Sequence, residues 1–151
     1  MPVELKPDEQ ELLQFEVGAF LPLLTDAAKP RYEALSEAVD DGVLPDEALG
    51  PIGDLLEVGL QTGRIRKLHR APGEQAVLRL FDKTPAGQAR AQQTADLNRA
   101  LGQLAGQTVE SLRVITRVPG VHLLQVATDT CTLTVRFGPD GASIESVSLG
   151  D

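Results

Sequence analysis

Tryptophan is absent from this 151-residue chain and aromatic residues make up only 3% of it. Its core must therefore be built from Leu, Val, Ile and Ala. A single cysteine, Cys131, excludes an internal disulfide and any Cys-x-x-Cys metal knuckle. Long apolar runs are missing as well: the longest, residues 17–24, is interrupted by Pro22 and is too short to span a bilayer. The opening "MPVELKPDEQ" lacks a basic-then-apolar pattern, so no signal peptide is expected, and a cytoplasmic protein without membrane contact is. What remains is ordinary for a folded domain, with 42% hydrophobic residues and enough length for one core or two small lobes.

Positive charge is scarce and unevenly placed. The formal net charge is −8. Residues 1–60 hold 14 acidic and 3 basic groups, whereas residues 61–90 hold 7 basic and 2 acidic ones. An acidic chain is not drawn to nucleic acid as a whole; only its middle segment could be.

Residues 8–21 read as a helix with Leu12, Leu13, Phe15, Phe20 and Leu21 on a broad apolar face, ended or bent by Pro22. A second helix is expected from Pro30 to about Asp41, closed by Gly42. "LPDEAL" (44–49) reads as a short helical turn, and "PIGDLLEVGLQTG" (51–63) as a third helix with Ile52, Leu55, Leu56 and Leu60 inward. "RIRKLHR" and "AVLRLFD" flank "APGE", whose Pro-Gly chemistry predicts a β-hairpin over residues 64–82. Thr84 then caps a helix with Pro85 in its first position, running to about residue 105 with Leu97, Leu101 and Leu104 at helical spacing. From Val109 the period becomes two. "ESLRVITRV", "VHLLQVAT", "CTLTVRF" and "ASIESVSL" predict four strands joined by short turns. The expected fold class is α+β: an N-terminal helical lobe over residues 1–106, then a four-stranded antiparallel meander over residues 107–151, packed on it.

The order of helices, basic hairpin and capped helix is that of a winged helix. "RIRKLHRAPGEQAVLRLFDKTPAGQARA" (64–91) resembles the wing and following helix of the MarR and PadR regulator families, whose "TPxG" helix start reads here Thr84, Pro85, Ala86 and Gly87. "DLLEVGL" is similar to the end of their recognition helix, and the resemblance covers residues 30–91. It implies a winged-helix-like lobe with a basic wing of Arg64, Arg66, Lys67, His69 and Arg70. The third helix, however, offers Asp54, Glu57, Gln61 and Thr62 and no basic residue to the major groove.

Three roles stay open for the wing: phosphate contact, docking onto a protein, or a solvated ribbon whose charge blocks edge pairing. On the sheet, Arg113, Arg117 and Arg136 could share an outer face and meet an anion or a partner. His122 and Cys131 fall on adjacent predicted strands, which on paper permits a nucleophile pair. No oxyanion signature accompanies them, and Cys131 reads better as a small buried hydrophobe. "AVDDGVLPDEALG" lacks the ligand pattern of a calcium loop, and the histidines and cysteine are too scattered for zinc. No catalytic residue, metal site or cofactor is expected. The leading expectation is a non-catalytic regulatory or adaptor module acting through a protein partner, forming a homodimer through the helices at 8–21 and 85–105. The alternative is a winged-helix DNA-binding transcriptional regulator that uses mainly its basic wing.

Overall fold

The computed structural model describes residues 1–150. Its elements are β1 (Val3–Glu4), α1 (Pro7–Phe20), a 3-10 turn (Leu21–Leu23), α2 (Lys29–Asp41), β2 (Val43–Leu44), α3 (Asp46–Gln61), α4 (Arg64–Phe81), α5 (Pro85–Gly102), β3 (Val109–Val118), β4 (Val121–Thr128), β5 (Cys131–Gly138) and β6 (Gly141–Leu149). The fold class is α+β, five helices followed by a four-stranded antiparallel sheet. The chain divides into two compact units, one of residues Met1–Gln88 and one that begins at Ala89. That division lies inside α5 and not near residue 106, because Leu97 and Leu104 of this helical region pack on the sheet.

In the first unit, α1 starts with Pro7 in its first turn beside Asp8 and Glu9, which suit the helix dipole. α2 ends at Gly42, whose φ of 76° is the left-handed conformation that glycine adopts without cost. The side chain of Gln10 donates to the carbonyls of Val39 and Asp40 (3.0 and 2.9 Å), so α1 helps cap α2. β1 and β2 form a two-residue antiparallel pair that the sequence pattern does not reveal. α3 corrects one expectation. It begins at Asp46 and not at Pro51, so Pro51 is interior and its missing N–H leaves one helical bond unmade. Burial offsets this: Ala48, Leu49, Pro51, Ile52 and Leu56 all face the core.

The hairpin expected over residues 64–82 is not formed. These residues are α4, a helix broken at Arg70, whose φ of 58° and ψ of −168° interrupt it. Pro72 and Gly73 do mark a break, but it is a kink between two helical pieces. The second piece starts in the Pro-friendly first turn, and the first piece ends where Gly73 approaches His69. The apolar residues satisfy both periods. Val77 and Leu80 and Phe81 recur at i, i+3 and i+4, and Ile65 is buried with them in the core. Packing against α1 and α3 selects the helix.

In the second unit the meander has the order β3-β4-β5-β6. Residues opposite one another share a face. One face carries Leu112 and Val114 of β3, Val126 and Leu124 of β4, and Leu133 and Val135 of β5. Leu97 packs on its centre, at Leu133 and Val135. The other face carries Arg113 and Ile115, then Gln125 and Leu123, then Thr134 and Arg136. Arg117 of β3 nonetheless forms an ion pair with Glu145 of β6.

Candidate functional site

The buried stripe of α1 is Glu9, Leu12, Leu13, Glu16 and Val17. Two carboxylates, two helical turns apart, thus occupy positions that burial reserves for apolar or paired groups. α4 supplies the pairs. At one end, Arg79 Nη2 donates to Asp8 Oδ2 (3.0 Å) and its Nε lies 3.9 Å from Glu9 Oε1, while Glu9 Oε2 accepts the Lys6 N–H (3.0 Å). At the other end, His69 Nε2 donates to Glu16 Oε1 (2.7 Å), and Arg64 Nε lies 3.4 Å from Glu16 Oε2. The Phe15 ring stands edge-on to His69 at 5.2 Å between centroids. The carboxylate as acceptor places the imidazole proton on Nε2. The basic segment of the sequence is therefore partly consumed inside the molecule, neutralising acids of α1.

The five residues expected on a wing separate into two groups. Arg64 and His69 turn towards Glu16. Arg66, Lys67 and Arg70 are exposed and make no ion pair among the described residues. Their positive charge is free for a partner, though presented by a helix and not by a ribbon.

Beside Glu16 and Arg64 opens a groove of about 320 Å³, walled by Phe20, Leu23, Leu55 and Val58. Leu23 is 79% exposed and Val58 58% exposed. Where Gly59 lines the groove, α3 and α4 approach closely: a Cβ there would lie 2.8 Å from the Ile65 side chain. Thr62 ends α3 by donating its hydroxyl to the Val58 carbonyl (2.8 Å), and Gly63, at φ 73°, turns the chain so that Arg64 reaches the groove. Sequence reading missed this site. Leu55 packs against the core as its inward position predicts while also lining the groove, and neither Leu23 nor Val58 carries a motif. The available signal was Glu9 and Glu16 falling on the stripe of Leu12, Leu13 and Val17, which demands cations from elsewhere in the chain.

On the sheet, two of the three arginines already have acidic partners. Arg117 pairs with Glu145, and Arg136 Nη1 donates to Asp140 (2.8 Å). That hydrogen bond, with one from its own backbone, holds the exposed Asp140 carboxyl below the ordinary aspartate value of 3.8. Arg113 is exposed and unpaired among the described residues. His122 pairs with Phe137 and Cys131 with Leu149, six positions apart along β5, roughly 20 Å at 3.3 Å per residue. They do not meet. Cys131 is half-buried, and its surroundings are polar where an apolar niche was expected: Sγ lies 3.7 Å from Thr128 Oγ1 and 3.9 Å from Gln107 Oε1. Gln107 Oε1 also accepts from the Thr128 and Thr130 hydroxyls, both at 2.6 Å, tying the segment before β3 to the β4–β5 turn.

Among the described residues no group of three His, Cys, Asp or Glu side chains gathers to hold a metal ion, and no helix is long and apolar enough to cross a membrane. Comparison with protein-family models, with curated proteins and with solved structures finds no match to the chain.

Proposed function

We propose that this protein is a non-catalytic regulatory or adaptor module that works by docking a partner protein. The observation that carries the reading is the groove between α1, α3 and α4, where Leu23 and Val58 stand in solvent beside Arg64. Exposed aliphatic side chains at the lip of a concave site, with few charged groups in its lining, here the Glu16–Arg64 pair, are the usual composition of a binding surface. The winged-helix resemblance does not carry this reading, because the segment expected as its wing is helical and α3 has no basic residue. DNA contact through Arg66, Lys67 and Arg70 is the second reading. Three phosphates neutralised would give a log–log salt slope of about −2.7, a weak and sequence-indifferent association.

Capture from an extract of the native cell, before and after nuclease treatment, separates the two. We expect a protein retained by the wild-type chain, unaffected by nuclease, and lost with Val58→Asp. Recovery that disappears with nuclease and is indifferent to Val58→Asp would replace the docking module by the nucleic-acid binder.

A further inference from the structure

We infer that the groove seats an amphipathic helix of a partner protein whose acidic residues lie along the flank facing α4. The inference deepens the docking reading and rests on it. Shape comes first. The groove is lined on both sides by helical residues, Phe20 and Leu23 from the α1 end and Leu55 and Val58 from α3. A volume near 320 Å³ accommodates a few side chains and not a whole element, so an occupant lies across its mouth and inserts anchors. A helix presenting large aliphatic residues at i, i+3 and i+4 does this without leaving backbone groups unsatisfied.

Charge then selects the flank. Arg64 lines the groove but is paired with Glu16, so the unpaired charge on this flank is that of Lys67, three residues on along the same face of α4. Lys67 has no ion pair among the described residues, and neither do Arg66 and Arg70 beside it. The α3 wall is different, because Asp54 lies one turn from Val58 on that helix. One rim is thus basic and the other acidic. Residues 1–60 carry 14 acidic against 3 basic groups, so an acidic partner is repelled by most of that stretch and drawn towards the α4 flank. Attraction at one edge with repulsion elsewhere sets orientation as well as affinity.

The test uses the full chain and two fluorescein-labelled model helices with the same leucine anchors, one flanked by Glu and one by Lys. By fluorescence polarisation the acidic helix is expected to bind about tenfold tighter than the basic one at low salt. Lys67→Glu should cut that preference at least about threefold, since it reverses one rim charge. Val58→Asp and Leu23→Asp, on different elements and both at exposed positions, should each abolish binding while circular dichroism stays unchanged. Equal binding of the two helices, or binding indifferent to both apolar substitutions, overturns the inference. So does a dimer in sedimentation that Val58→Asp makes monomeric, since a second copy would then fill the groove. If Val58-dependent capture of a partner persists while the model helices bind equally, the docking reading stands and the acidic helix falls.

Discussion

Arg70 is the one non-glycine residue among those described with a positive φ. At φ 58° and ψ −168° it occupies a region that essentially only glycine populates, at a cost of order 1–3 kcal/mol. It is held there because the helical pieces on either side each bury their own anchors, Ile65 before it and Ala76 and Val77 after it. Arg70→Gly should therefore stabilise the protein by about 1 kcal/mol, the relief of strain exceeding glycine's greater freedom in the unfolded chain. Arg70→Ala, which keeps the Cβ, should not. The midpoints of urea unfolding for the two variants check this. A midpoint lowered by Arg70→Gly would mean that the break carries no strain. The Pro-Gly signal two residues later was legible in the sequence as a break, but not the kind of elements it separates. Residue chemistry marks a break locally, whereas strand or helix is decided by what the flanking residues pack against.

Between elements, the α1–α4 contact is organised by charge at both ends of an apolar seam. Glu16, buried and shared by His69 and Arg64, anchors one of these ends. Glu16→Gln keeps the shape but withdraws the charge from both partners, and should cost about 1–3 kcal/mol. The partial exposure of Arg64 puts the value towards the lower end. Arg64→Gln alone should cost less, and the two changes together less than their sum, because the second removes a group already unpaired. Urea unfolding of the four proteins measures that coupling. Additive losses would show that Glu16 and Arg64 do not interact. The Pro-Gly turn signal predicts "RIRKLHR" as one strand of a basic hairpin, yet as a helix the same residues bury Ile65 and direct Arg64 and His69 to α1. Only the second arrangement satisfies Glu16.

Across the molecule, two cores are built separately. Every buried residue of the first cluster, from Leu12 to Phe81, precedes Ala89, and the second gathers Leu97, Leu133 and Val135. A fragment of residues 1–88 should accordingly unfold as a cooperative helical unit in far-UV circular dichroism. Gradual, non-cooperative loss of signal would show that its core depends on the rest of the chain. The second unit leaves Leu112 and Val114 of the edge strand β3 63% and 66% exposed, an apolar margin that α5 does not cover.

The sequence by itself determined the meander and the caps. Period-two alternation between short polar turns specifies strands whatever surrounds them, and all four appear where "ESLRVITRV", "VHLLQVAT", "CTLTVRF" and "ASIESVSL" placed them. Gly42 and Gly63 ended their helices, and Thr84 accepts the Gly87 N–H (3.1 Å) at the start of α5, because these signals act within a few residues. Tertiary structure alone decided that residues 64–81 are helical, that Pro51 is tolerated inside α3, and that four apolar side chains from separate segments wall one groove. The reason is range. Each of those outcomes depends on partners far away in the chain, Glu16 for His69 above all, and local propensity carries no information about which distant residue will be there.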